Sequence, residues 1–560
     1  MQWKQDFTPV ADHLALSAIV ALIPILYFFW ALAVKRMKGY MAGLTTLLVA
    51  LVVSVIAYKM PVGMAVMSVT QGAVYGLLPI GWIIITSVFL YKLTVKTGQF
   101  DTIRNSVLSI TEDRRLQALL IAFSFGAFLE GAAGFGAPVA ISAALLVGLG
   151  FNPLYAAGIC LIANTAPVAF GAIGIPITAV AGPTGIPAME ISKMVGRQLP
   201  FLSVFIPFYL VLIMAGWKKT IEVLPAILVS GVSFAITQYV SSNFLGPELP
   251  DILSALVSLV ALAIFLKVWK PKSVYRFATD AHSEVAASAQ LQTTTHTSGE
   301  VLKAWSPFLV LTVFISIWGI PQVKAALTGH YEGTNGLLKA LNTLGSYLTF
   351  MPEVPGLSNK IINASGQPIP AVYKLELLGA AGTAILLAAI VTKFIVNVSW
   401  SEWFATFGET LNELKFPVIT IASVVGFAYV TNASGMSTTL GMALAKTGSL
   451  FAFFSPFLGW LGVFITGSDT SSNLLFGNLQ KVTATSLGMD PVLAVAANSS
   501  GGVVGKMISP QSIAVACAAV GLAGKESDLF RFTIKHSIFL IILIGILTFL
   551  QSTVLSWMIP

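Results

Sequence analysis

The stretch from Phe125 to Ile177 imposes two requirements that few folds meet together. It is apolar enough to lie in lipid, running FGAFLEGAAGFGAPVAI, then Gly150-Phe151-Asn152-Pro153, then LYAAGICLIANTAPVAFGAIGIPI. It is also punctuated by helix breakers: Gly131, Gly134, Gly136, Pro138, Pro167, Gly171, Gly174 and Pro176. Backbone freed by Gly or Pro cannot face hydrocarbon with its N–H and C=O groups unpaired. At membrane depth it survives only against other protein or a watery cavity. Broken segments of this kind mark substrate sites in transporters.

A related stretch lies near the C-terminus. Gly462-Val463-Phe464-Ile465-Thr466-Gly467 echoes Gly126-Ala127-Phe128-Leu129-Glu130-Gly131, and Asp490-Pro491 echoes Asn152-Pro153. Asn164, Gly171 and Pro176 map onto Asn498, Gly505 and Pro510 at a constant offset of 334, close to the 336 and 338 of the other blocks. Three blocks in one order point to an internal repeat.

Apolar runs of 18 or more residues recur along the 560-residue chain, and only 10% of residues are charged. Soluble proteins carry about 25%. The fold class that follows is an all-α polytopic membrane protein; a β-barrel would alternate apolar and polar residues. The net charge of +8 does not imply nucleic acid as a partner, because Lys and Arg gather in short loops, as cytoplasmic loops require. Cys160 and Cys517 sit in apolar segments without a CxxC partner, so no disulfide or metal is expected. The N-terminus shows no basic n-region or small-residue cleavage site, so the first span itself is expected to direct insertion.

Charge bias places the spans. Lys35, Arg36 and Lys38 after 14–34 read as cytoplasmic, which sets the N-terminus outside. Spans 40–58 and 64–91 follow. The segment 116–150 must return to the cytoplasm for Lys218 and Lys219 to fall there, so it reads as a re-entrant hairpin, followed by a broken helix to 182. Spans 200–216, 224–240 and 251–266 complete an N-terminal half, 1–266. A hydrophilic, partly disordered cytoplasmic linker, 267–303, leads to the C-terminal half, 304–560. There 305–320 crosses outward, 321–373 is a long exterior loop, 375–396 returns, 399–414 reads as an interfacial amphipathic arm, and 416–431 crosses. A second hairpin and broken helix occupy 451–520, and 538–558 ends outside. The tally is about 12 crossings plus two hairpins entering from opposite faces, an inverted repeat, with both termini exterior.

Glu130 reads as the one carboxylate of the first half deep in an apolar run. Such a group is costly unless paired, and is a natural proton-coupling site. Asp469 stands second, within Thr466-Gly467-Ser468-Asp469-Thr470-Ser471-Ser472-Asn473, where Ser468, Thr470 and Ser471 could bind a polar ligand. Asn164-Thr165 and Asn498-Ser499-Ser500 recur at repeat-equivalent positions, beside backbone expected to be unwound, and Gly134 and Gly136 in the first hairpin are further candidates for binding substrate. Lys506 is the lone cation of its span, a counter-charge for an anionic substrate or for Asp469. The five histidines fall in loops or at span ends and form no relay. Ser500–Met507 misses the P-loop at its first Gly and its final Ser/Thr, and no HExxH or GxSxG occurs. With no nucleotide site, transport would be secondary.

At GAFLEGAAGFGAPVAI, NTAPVAFGAIGIPI, ITGSDTSSNLLFGNLQ and NSSGGVVGKMISPQSIAVA the chain resembles the bacterial lactate permease family over essentially its whole length. Within the family the likeness leans toward the enterobacterial branch that takes glycolate. The resemblance implies proton symport of glycolate, L-lactate and D-lactate across the inner membrane, without cofactor or metal. It also implies an ion-transporter fold with paired hairpins, broken helices and elevator motion. Asn164-Thr165 and Asn498-Ser499 match the polar clusters near hairpin tips in such folds. Sodium coupling is the alternative, and an intramembrane hydrolase a remote one that lacks a positioned base. Assembly as a homo-oligomer is left open.

Overall fold

The computed structural model describes residues 2–132, 134, 137–277, 296–363, 366–522 and 525–560. Twelve of its helices are long and apolar enough to cross a membrane, and the chain is a multi-pass membrane protein. Their outer faces carry apolar stripes at helical spacing. Leu16, Ile19, Ile23 and Leu26 stand exposed on Leu14–Phe29, while Ala18, Ala21 and Ile25 of the same helix are buried. In water such stripes would be a liability; against lipid they are the natural surface.

The twelve are not the set that charge bias selects. Arg114–Ala132 and Met436–Thr466 are among them, and each contributes the first arm of a hairpin. Ala381–Val396 is too short to qualify, and Pro153–Ala163 with Val168–Thr184 is a pair bent by 64°. The arm 399–414 and the span 416–431 are one helix, Trp400–Ser434, with Pro417 inside it. One face of the segment packs on a neighbouring helix, while Trp400, Phe404 and Leu411 stand exposed on the other. Trp403 meets Phe89 edge-on at 4.7 Å, Glu409 pairs with Lys96 at 2.6 Å and Glu413 with Lys92. Two of its three glutamates thus pair with a neighbouring helix while staying more than half exposed, which amphipathicity alone does not reveal.

Both broken units are helix–turn–helix pairs followed by an interrupted helix. In the first, Gly126–Ala132 packs on Ala137–Gly148 across a tip where Gly134 takes φ +57°. Gly136 lies outside the described residues. In the second, Phe451–Thr466 turns at Gly467, φ +71°, into Asp469–Ser486, whose N-cap Ser468 accepts from the Ser471 N–H. The interruptions are unequal. Pro153–Ala163 ends at Asn164, and the chain then passes through Ala172, Ile173 and Gly174, all at positive φ. The second helix, Pro491–Lys506, runs unbroken through Asn498-Ser499-Ser500 and stops only at Met507–Ser509 before Pro510–Ala519. The expected unwinding beside Asn498 is therefore absent.

The base of the first hairpin is pinned by Arg115. It is fully buried against Asp113 at 2.7 Å and Glu222 at 3.0 Å, and donates to the carbonyls of Lys219 and Ser273. Ser273 and Tyr275 thus tie the start of the expected linker to the hairpin; the tract at 278–295 lies outside the described residues. The long polar loop folds into helices Pro321–Leu327 and Gly336–Tyr347 and two-residue strands. One of these, Ile361–Ile362, pairs in parallel with Trp3–Lys4. That pairing puts the N-terminal segment and the loop on one face.

Helix Pro491–Lys506 lies against Phe451–Thr466 with no room for side chains. A Cβ on Gly459 would overlap the carbonyl of Asn498, and one on Gly501 that of Pro456. Small residues of this kind let helices in lipid approach closely. Gly501→Val should therefore cost at least the ~1–3 kcal/mol of an overpacked core, read as a fall in melting temperature in detergent. Gly63→Ala, with open space around it, should leave the melting temperature unchanged or raise it.

Candidate functional site

The two hairpin tips and the two helix interruptions meet around one cavity of about 110 Å3. Glu130 and Gly134 come from the first tip, Gly171, Ala172 and Pro176 from the first interruption. Ser468, Asp469 and Thr470 come from the second tip, and Lys506, Gln511 and Ser512 from the second interruption. Val168, Ile175, Ile84, Ile421 and Val515 complete the wall. At ~30 Å3 per water, the space suits a small organic acid and little more. Polar groups facing polar groups across an apolar wall is the composition of a small-ligand site.

Its centre is an ion pair. Lys506 Nζ donates to Glu130 Oε1 at 2.7 Å, and Asn164 Nδ2 donates to Glu130 Oε2 at 3.2 Å. Both charges are buried. Lys506 is thus the counter-charge of Glu130, not of Asp469 as the sequence allows. Gly171 makes the geometry possible: a Cβ there would stand 2.7 Å from Glu130 Oε1. Asp469 begins its helix with Oδ2 accepting from Ser499 Oγ at 2.6 Å and Asn473 Nδ2 at 3.3 Å. Its Oδ1 is buried without a partner, a group that asks for a donor from whatever enters the site.

Other sequence-selected residues stand behind this wall. Asn498 Nδ2 donates to Asn473 Oδ1 at 2.8 Å, and its Oδ1 accepts from Gln480 Nε2 at 3.1 Å. Ser500 donates to Gln198 Oε1, and Thr165 returns its hydroxyl to the Ile162 carbonyl. Ser471 is held at the helix cap. The side chains of Asn498, Ser500 and Thr165 are thus bonded within the protein, and none of the four residues borders the cavity. Asn164 and Ser499 reach it only through Glu130 and Asp469. His536, expected at a span end, is buried inside Glu526–Gln551 and bonded to the Tyr209 hydroxyl at 2.6 Å.

Three residues escaped sequence reasoning. Gln511 and Ser512 follow the Ser509-Pro510 break, and a polar pair after a proline inside an apolar span is a signal that could have found them. Asp251 is buried with both carboxyl oxygens unpartnered, so Glu130 is not the one deeply buried acid of the first half. A first-turn Asp after Pro250 ordinarily marks a wet helix start, and nothing local distinguishes this one.

The family model described as L-lactate permease matches residues 17–555. The L-lactate permease of Bacillus subtilis is 74% identical over 100% of both chains. The glycolate permease of Escherichia coli is 54% identical over 99% of both chains, and the L-lactate permease of the same organism is also 54% identical, over 100% of both. The lean toward the glycolate branch finds no support in these identities. The Alcanivorax borkumensis YdaH transporter superposes with a TM-score of 0.33 at 13% identity over 81% of this chain and 87% of that one, too loosely to bear on the fold. The extent of the match and the level of identity place the chain in the L-lactate permease family.

Proposed function

We propose that the protein is a secondary transporter that takes up L-lactate, with D-lactate and glycolate as further substrates, each anion together with a proton. The observation that carries this reading is the Lys506–Glu130 pair on the cavity wall. A buried cation already matched by a carboxylate has no affinity to spare for a second carboxylate. Protonating Glu130 releases Lys506, and the substrate carboxylate then takes the place of Glu130 at the ammonium. The 2-hydroxyl would face the side of the cavity lined by Asp469, Ser468, Thr470 and Gln511.

The charge count favours this order. The empty site holds Glu130⁻ and Lys506⁺. The loaded site holds neutral Glu130, Lys506⁺ and one anion. Neither state adds net charge to a place where an unpaired ion costs several kcal/mol. Proton and anion therefore strengthen one another's binding by the same factor, and a pH gradient drives uptake. In this reading the halves 1–266 and 304–560 form inverted repeats in the inner membrane with the termini outside, the hairpins re-enter from opposite faces, and the site alternates by an elevator motion.

In sodium-free vesicles, acid outside should drive L-lactate accumulation that collapses on adding a protonophore; a requirement for sodium would replace the proton with a different ion. Glu130→Gln should abolish accumulation against a gradient while retaining part of the lactate counterflow. A mutant that still concentrates lactate removes Glu130 from the coupling step. Lys506→Met should weaken apparent affinity at least tenfold, since a hydrogen bond to a charged group contributes about 1.5–3 kcal/mol; an unchanged affinity for lactate excludes the contact.

A further inference from the structure

Helix Pro250–Val268 begins beneath the first hairpin tip. A Cβ on Gly131 would stand 2.8 Å from Asp251 Cβ, so Asp251 packs against the residue that follows Glu130. It is 1% exposed, neither of its carboxyl oxygens has a partner, and it lies in electrostatic reach of Glu130 and Lys506. The elements packed on this helix are Leu224–Phe244, Ala118–Phe125, Gly126–Ala132 and Gly171–Thr184. Among the described residues they bring one charged side chain, Glu130, while Tyr239 is exposed on the outer side. Lys506, already paired, is the single cation nearby.

The loop that leads into Asp251 borders a route to water. Three residues earlier, Glu248 with Gly246 and Pro247 borders a cavity of about 1000 Å3, whose rim also carries Lys324, Lys374 and Glu376. Glu248 is half-buried, and burial pushes its carboxyl above the usual range against the pull of Lys324. The loop also abuts the transport site. A side chain on Gly174 would overlap the Pro247 carbonyl, and Gly171, three residues before, touches Glu130.

We infer that Asp251 is a proton carrier between the Glu248-bordered cavity and the Glu130–Lys506 pair. An ionised, unpaired Asp251 beside ionised Glu130 would be strongly disfavoured at this depth, so Asp251 holds a proton whenever Glu130 is paired. As Glu130 leaves Lys506, the O–H proton of Asp251 passes to the Glu130 carboxylate. Asp251 becomes the carboxylate and is reprotonated from cavity water by way of Glu248. One proton moves at each step, and no bond to carbon and no electron balance changes. Asp251 acts through Glu130 and touches no substrate; the inference rests on the coupling role proposed for Glu130.

The test uses the full chain in vesicles with L-lactate, comparing net uptake driven by acid outside with counterflow at equal pH. Asp251→Asn keeps the shape and removes the transferable proton. Net uptake should fall about tenfold relative to counterflow, and the remaining uptake should lose its rise toward acid pH. Glu248→Gln should slow net uptake in the same direction by a smaller factor. Wild-type net uptake with a wild-type pH profile in Asp251→Asn overturns the inference. So does equal loss of uptake and counterflow in Asp251→Asn while Glu248→Gln takes up lactate as the wild type does; equal loss with a selective slowing in Glu248→Gln supports it. If wild-type uptake ignores the pH gradient, the coupling role of Glu130 fails, and that result is distinct from either mutant outcome.

Discussion

A single buried ion pair holds the two ends of this sequence together. Glu130 comes from the first hairpin and Lys506 from the helix that follows the second. Either charge alone at that depth costs several kcal/mol, and the pair is tolerable because geometry and a further hydrogen bond from Asn164 satisfy it. The two broken units are therefore linked, each supplying the charge that the other's buried ion requires. The glycines around the pair follow from the same demand, since Gly171 abuts Glu130 and Gly131 abuts Asp251.

Around the pair, polar groups divide into two kinds. Asn498, Gln480, Asn473 and Ser455 bond to one another, as do Ser500, Gln198 and Gln551. Fully satisfied networks in a low dielectric stiffen a wall and offer nothing to a ligand. The second kind is unfinished: Asp469 Oδ1 and both oxygens of Asp251 lack partners. An unfinished carboxylate beside a buried ion pair is a place where a proton or a substrate atom can be taken up.

Much of the architecture is written in the chain. Hydropathy finds the spans, and Gly and Pro inside apolar runs find both interruptions, because unpaired backbone is so costly in lipid. Glu130, Asp469 and Lys506 stand out for the same reason. Legibility fails where two segments have to be compared. Trp400–Ser434 reads as an arm and a span because the pairing of Glu409 and Glu413 with Lys96 and Lys92, hundreds of positions away, is invisible along one segment. Asn498 and Asn164 look equivalent by repeat, yet one lies in continuous helix and the other at a helix end.

The sequence by itself determined a polytopic helical protein with two broken units, since hydropathy and helix breaking act over a few residues of contiguous chain. Tertiary structure alone decided which polar side chains border the cavity, which partner Lys506 takes and that Asp251 is buried. Those outcomes depend on the rotation of each helix and on neighbours hundreds of positions away. A side chain one step around a helix from the void finishes its hydrogen bonds in the wall, and only its neighbour remains free to bind.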